Sequence, residues 1–171
     1  MAHLSKPECV MKRILILLLA LIPVISSAQE LDIYEGDVSW HKVYATDMTQ
    51  DEIITQILAY DFLDDVVIHG NMIAGNIRPA YLDYEGAGYT RMKVPIYLSQ
   101  GTFSGRYVIQ FKEGRYRVDV FNMYFTDTQG SMYGRTDLAS TVDDFAFDAT
   151  SKIIVEYLSR ITQFQKWNDK W

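Results

Sequence analysis

The chain has 171 residues, of which 49% are hydrophobic and 13% aromatic, and this is enough apolar material for the packed core of one domain. Its 16 basic and 22 acidic residues give a net charge of −6, which argues against nucleic-acid binding because phosphate backbones require clustered lysines and arginines. The sequence contains no low-complexity run that would indicate disorder.

The N-terminus has the pattern of a secretory signal. Lys12 and Arg13 precede an apolar run from Ile14 to Ile25, and small residues follow up to Ala28. We therefore predict a signal peptide over residues 1–28, with cleavage after Ala28. The apolar run is too short to span a bilayer comfortably, so no stable membrane span is expected after cleavage. The product is predicted to be periplasmic or secreted.

Cleavage changes the charge and the cysteine count. It leaves 13 basic and 21 acidic residues, a net charge of −8, and it removes Cys9, the only cysteine. The mature chain is therefore expected to have no disulfide, no thiol nucleophile, no cysteine-bound metal and no lipid anchor at its start. Met11 is a better start for such a signal than Met1 is, so a start at Met11 and a start at Met1 are both retained as hypotheses for residues 1–10.

The first elements of the mature chain are predicted from local patterns. Residues 29–38 form an acidic lead that is expected to be loosely structured, and residues 39–44 are predicted to form the first strand. Thr49 and Glu52 have the spacing of a capping box, which predicts an amphipathic helix that ends by about Asp64.

The middle of the chain contains three further predicted strands. Residues 66–68 and 72–77 are β-prone and flank a turn signal at His69-Gly70-Asn71. Residues 89–98 alternate between apolar and polar side chains, which predicts a strand, with Pro95 favouring a sheet edge or a bulge.

A β-hairpin is predicted from Ser104 to Thr126. A loop at Glu113-Gly114, or a four-residue loop from Lys112 to Arg115, places apolar partners opposite each other on one face. The expected pairs are Phe111 with Tyr116, Ile109 with Val118 and Tyr107 with Val120. One buried and one polar face indicate an antiparallel sheet that is covered on one side. Past Val120 the alternation changes, so either a bulge redirects the strand or its end is covered on both faces.

The end of the chain is predicted to form a second long helix. Residues 127–144 are polar and are expected to form a long excursion, which precedes a helix over about residues 149–166. The tail, residues 167–171, carries Trp167 and Trp171. The order of elements predicts a two-layer α+β domain over residues 39–166, with both helices on the buried face of the sheet.

Several of these features together resemble a known family. They are the signal peptide, the strand followed by a capped helix, the stretch from Gly70 to Gly75 and the hairpin from Tyr107 to Tyr124. The chain resembles the bacterial exported domain of unknown function 4468 family, which has a TBP-like fold. This resemblance implies a fold of β-α-β4-α order, and it implies no activity, no site residues and no DNA binding, because function depends on sites rather than on folds.

No catalytic constellation is recognised. His41 and His69 lack a metal-ligand spacing, and the pairs Asp64-Asp65 and Asp143-Asp144 lack the loop of a calcium site. Residues 85–88 (Glu-Gly-Ala-Gly) lack the spacing and the following helix of a phosphate loop. No catalytic, cofactor-binding or metal-binding residue is therefore predicted.

Tyrosines are the most distinctive feature of the middle loop. Tyr81, Tyr84, Tyr89 and Tyr97 form a candidate interaction surface, because tyrosine combines a large contact area with a polar tip. The alternative is that most of them are half-buried at the rim of the sheet. We predict a non-enzymatic binding or scaffold domain of the bacterial envelope, with an envelope protein or a glycan as partner. The alternative is a small-ligand carrier, or less favourably a hydrolase, with a pocket between the helices and the sheet.

Overall fold

The fold is described from a computed structural model, in which residues 31–127 and 134–166 are defined. Within these residues, seven strands form one sheet: β1 Asp32–Tyr34, β2 Asp37–Ala45, β3 Leu63–His69, β4 Met72–Ile77, β5 Gly101–Lys112, β6 Arg115–Asp127 and β7 Arg135–Asp137. The helices are α1 Gln50–Tyr60, α2 Ile96–Gln100 and α3 Phe147–Thr162, with 3-10 turns at Arg91–Lys93 and Leu138–Thr141. The predicted signal peptide and the tail with Trp167 and Trp171 lie outside the described residues.

The sheet is antiparallel throughout. Its strand order is β1-β2-β6-β5-β4-β3, and β7 also pairs with β6. One edge of β6 is shared by two partners, because β2 pairs with residues 115–120 and β7 pairs with residues 124–126.

The hairpin of β5 and β6 has the predicted register. Phe111 pairs with Tyr116, Ile109 with Val118 and Tyr107 with Val120. Lys112 pairs with Arg115, so the loop is the two-residue Glu113-Gly114. Gly114 has φ +70°, a left-handed conformation that glycine adopts without steric cost.

A bulge in β6 explains the change of alternation after Val120. Ser104 pairs with Tyr124 while Arg106 pairs with Phe121, so β6 contains one additional residue. Asn122 has φ +50°, and asparagine tolerates this left-handed conformation better than most residues do. The bulge is therefore confirmed, and it turns Met123 to the buried face and leaves Phe121 exposed.

The two long helices cover one face of the sheet, as predicted for a two-layer α+β fold. Ile53 and Ile57 of α1 and Ile154 and Leu158 of α3 share one core with the apolar row of the hairpin. The Tyr157 ring of α3 lies 5.8 Å from the ring of Phe103 in β5. This burial, rather than helix propensity, supplies most of the stability of both helices.

The capping box of α1 is present. Glu52 N donates to Thr49 Oγ1 at 3.3 Å, and Thr49 N donates to Glu52 Oε2 at 2.7 Å. The helix ends at Tyr60, and Arg78 bonds the two aspartates that follow, Asp61 and Asp64, through Nη1 and Nε. Those cation contacts offset the unfavourable position of carboxylates at a helix C-terminus.

Two predictions of local structure were wrong. Residues 89–98 form no strand, because Pro95 has no N–H for a ladder and its carbonyl instead accepts from Leu98 N and Ser99 N, which begins α2. Val94 is buried in extended backbone before Pro95, and Leu98 is the buried residue of α2. The lead was expected to be loose, but Asp32–Tyr34 forms β1 and pairs with the start of β2.

Candidate functional site

The face of the sheet that the helices leave uncovered, here called the open face, carries a large cleft at the bulge of β6. This bulge cleft has a volume of about 760 Å³. The residues that line it include Tyr34 from β1, Asp37 from β2, Asn76 from β4, Arg106 from β5, Phe121 and Tyr124 from β6, and Arg135 and Asp137 from β7.

The strand pairing explains why a cleft forms at this position. The ladder with β2 ends at Val120 and the ladder with β7 begins at Tyr124, so neither includes residues 121–123. Gly105 lies opposite this gap, and a Cβ there would come within 3.2 Å of Met123 Cγ. The bulge and the change of partner strand together leave a concave surface on the open face.

A chain of hydrogen bonds fixes the floor of the cleft. Arg106 Nη1 donates to Asn76 Oδ1 at 3.1 Å, and Asn76 Nδ2 donates to Asp65 Oδ2 at 3.0 Å. Arg106 and Asn76 are both half-buried, so their geometry is constrained by the surrounding strands as well. The Asp65 carboxylate thus orients the amide, and the amide orients the guanidinium.

A second arginine forms the opposite side. Arg135 stacks on Tyr124, with its guanidinium carbon 3.7 Å from the ring centroid. The same guanidinium contacts Asp137 Oδ1 through Nη2 at 2.7 Å. Its charge is therefore already paired, and the stacked ring and the ion pair hold it in place.

The four tyrosines predicted as an interaction surface lie elsewhere. Tyr81 is 66% exposed, whereas Tyr84, Tyr89 and Tyr97 are half-buried and pack against the core. The ring of Tyr97 lies 5.2 Å from that of Phe125. None of the four lines the bulge cleft. Whether they contact a partner stays a prediction.

Alanine substitutions separate the two interpretations of these tyrosines. We expect Tyr84→Ala and Tyr89→Ala each to lower the free energy of unfolding by about 1–3 kcal/mol, because each removes a ring that packs on the core. Tyr81→Ala, at an exposed position, is expected to change it by less than about 0.5 kcal/mol. Urea denaturation of the three variants measures this. Unchanged stability of the first two would instead favour a surface role.

Residues of the bulge cleft were not singled out from the sequence. The signal that pointed towards it was the change of alternation after Val120, which indicated either a bulge or a strand end covered on both faces, and it did not show which residues would gather there. Tyr34 and Arg135 reach the site through pairings distant in sequence, and these leave no local pattern.

The described histidines and acidic residues do not cluster as metal ligands would. In residues 31–127 and 134–166, no group of three or more His, Cys, Asp or Glu side chains has the arrangement of a metal site. His41 contacts Asp32 instead, with Nδ1 2.6 Å from Oδ2, and this pair joins β1 to β2.

Within residues 31–127 and 134–166, no helix is both long and apolar enough to cross a membrane.

Comparison with known proteins gives similarities in fold. No model of a protein family matches the chain, and no curated protein matches it. A TBP-like protein from Parabacteroides distasonis is similar in structure, with a TM-score of 0.49 and 13% identity, covering 76% of this chain and 93% of that one. A DUF4468 family protein from Bacteroides ovatus has a TM-score of 0.43 and 11% identity, covering 81% of this chain and 94% of the other. Both names agree with the resemblance stated from the sequence, and neither carries information on function.

Proposed function

We propose that this protein is an exported, non-enzymatic binding domain of the bacterial envelope, and that its ligand surface is the bulge cleft on the open face of the sheet. The observation that carries the proposal is that aromatic side chains and guanidinium groups converge in one concavity that the fold leaves uncovered. Concave surfaces that combine aromatic side chains with convergent polar groups are typical of binding sites.

The exposed aromatic residues of the cleft support this proposal. Tyr34 is 73% exposed and Phe121 is 36% exposed, although both lie on strands. An exposed ring on a sheet face contributes little to stability, whereas it offers contact area to a partner. The predicted export is consistent with an envelope protein, a glycan or a small molecule as ligand.

The alternative hypothesis placed a pocket between the helices and the sheet. There the side chains pack closely, and Trp40, Ile53, Ile109, Ile154 and Leu158 have essentially no exposed surface. The bulge cleft therefore offers a better location for any small ligand, since its volume lies within the range of roughly 300–1,000 Å³ of ligand sites.

A thermal-shift assay tests the proposal. Residues 29–171 are mixed with a dialysed envelope extract divided by size, and a ligand at about 100 times its dissociation constant adds about 2.7 kcal/mol of stability. We expect one fraction to raise the Tm of the wild type by several degrees. The double variant Tyr34→Ala/Phe121→Ala is expected to show no rise relative to its own unliganded Tm.

The matched control is the double variant Tyr60→Ala/Phe145→Ala, which removes two exposed rings outside the cleft. It is expected to respond as the wild type does. An equal rise in both double variants would place the ligand outside the cleft, and no rise in the wild type with any fraction would contradict the binding function.

A further inference from the structure

We propose that the bulge cleft recognises a small organic anion, with a carboxylate held by Arg106 and an apolar or aromatic body lying on Phe121. This inference rests on the proposed binding function and specifies the chemical class of its ligand. It follows from the ion pairing of the arginines, from the register of β5 and β6, and from the size of the cleft.

The charge of Arg106 has no acidic partner among the described residues, unlike the charges of three other arginines. Arg78, Arg117 and Arg135 each contact an aspartate within 2.7 Å. Among the described residues Arg106 has instead one hydrogen bond, to the neutral amide of Asn76, and no acidic side chain at ion-pair distance. A guanidinium carries five N–H donors, and placing it half-buried without a counterion costs free energy that a carboxylate would recover.

The hydrogen bonds that orient Arg106 leave its other N–H donors available to an anion. Asp65 accepts from Asn76 Nδ2, which leaves Asn76 Oδ1 to accept from Arg106 Nη1. The guanidinium is thus oriented by an amide that does not neutralise it. An oriented, unneutralised guanidinium is suited to a carboxylate, which it can bind with two parallel hydrogen bonds.

The register places an apolar contact beside the charge. Arg106 pairs directly with Phe121, and their side chains lie on the same face of the sheet. The Cβ atoms of such a cross-strand pair are about 4.5–5.5 Å apart. A ligand whose carboxylate meets Arg106 therefore has the Phe121 ring within reach of its next few atoms, and Tyr34 lies further along the same cleft.

The dimensions of the cleft favour a small molecule over a polymer. A volume of about 760 Å³ accommodates a ligand of drug-like size. The two properties together, one unneutralised cation and adjacent exposed rings, match an amphipathic organic acid.

The probe that tests this is 3-phenylpropionate, with 3-phenylpropionamide as its neutral counterpart of the same shape. In NMR titrations of residues 29–171, we expect 3-phenylpropionate to give saturable shifts of the backbone amides of residues 105–107 and 121–124. The amide should bind at least about tenfold more weakly, because hydrogen bonds from the guanidinium to a neutral carbonyl are weaker than those to a carboxylate. A factor of ten corresponds to about 1.4 kcal/mol.

Arg106→Gln keeps a polar side chain and removes the charge. This substitution is expected to lower the affinity for 3-phenylpropionate roughly tenfold and to leave the affinity for 3-phenylpropionamide unchanged. Arg115→Gln is the matched control, since Arg115 lies on the same face at the far end of the hairpin and outside the cleft, and it should change neither affinity.

Three results would overturn the proposal: no saturable shift with 3-phenylpropionate, equal affinity for the two probes, or undiminished affinity in Arg106→Gln. The thermal-shift assay distinguishes a failure of the anion hypothesis from a failure of the proposed binding function. If extract stabilises Arg106→Gln as it does the wild type, but not Tyr34→Ala/Phe121→Ala, then the cleft binds a ligand that is not recognised as an anion.

Discussion

Replacing Trp40 with alanine is expected to lower the free energy of unfolding by about 3–5 kcal/mol, the largest effect of any substitution considered for this chain. Trp40 has no exposed surface, and it lies on β2 opposite Val120, in the core shared by the sheet and both long helices. Truncation removes the apolar surface that the ring buries, and it leaves a cavity that rigid strands cannot fill. Urea denaturation of residues 29–171 measures the change.

Two further substitutions identify the source of this effect. Val43→Ala lies on the same strand but points to the open face with 56% exposure, so it is expected to change stability by less than about 0.5 kcal/mol. Trp40→Phe keeps a large ring and removes an indole N–H that has no hydrogen-bond partner among the described residues. Trp40→Phe is therefore expected to lower the free energy of unfolding distinctly less than Trp40→Ala does. A loss below about 1 kcal/mol for Trp40→Ala would contradict the position of this residue in the core.

Features with a local physical cause were predictable from the sequence. The register of β5 and β6 follows from the two-residue period of side chains and a turn at Glu113-Gly114, because a shift by one residue would bury the charged face. The start of α1 follows from the reciprocal hydrogen bonds of Thr49 and Glu52, which involve only neighbouring residues.

Features that depend on distant pairing were not predictable in the same way. The segment before β5 alternates like a strand, but Pro95 supplies no ladder N–H and a short helix, α2, begins directly after it. The bulge cleft exists because β2 and β7 divide one edge of β6, and nothing near Phe121 in sequence shows where either strand will end. The sequence therefore predicted the two layers and offered the bulge as one of two alternatives, while the residues of the cleft could be identified only from the strand order.

The contact between α3 and the sheet is expected to weaken at alkaline pH. Tyr44 OH lies 2.6 Å from Thr162 Oγ1, and Tyr116 OH donates to the Thr162 carbonyl at 2.9 Å. Phe164 N donates to Tyr116 OH at 3.1 Å, and the two tyrosine rings stack with centroids 5.0 Å apart. These two phenols thus hold the end of α3 and the residues that follow it against β2 and β6.

Burial gives both phenols a raised pKa. It raises the pKa of Tyr116 to about 12, and it raises the pKa of Tyr44 above its ordinary value of 10.0 even though the hydrogen bond with Thr162 acts in the opposite direction. Because the folded-state pKa exceeds the unfolded-state value, the contribution of these groups to stability is complete below pH 10. It is lost as the pH rises from there towards about 12, since the unfolded chain releases the protons first.

We therefore expect the free energy of unfolding of residues 29–171 to fall between pH 10 and about 12, and urea denaturation at a series of pH values measures it. Tyr116→Phe should lower stability at neutral pH by about 1–3 kcal/mol, because the Phe164 N–H loses its acceptor, and it should also make the alkaline decrease shallower. Tyr60→Phe, at an exposed position, should alter neither the stability at neutral pH nor the steepness of the alkaline decrease. An alkaline decrease equally steep in Tyr116→Phe would contradict the role of Tyr116 and would assign the decrease to other groups, such as Tyr107 and Tyr157, whose pKa burial also raises.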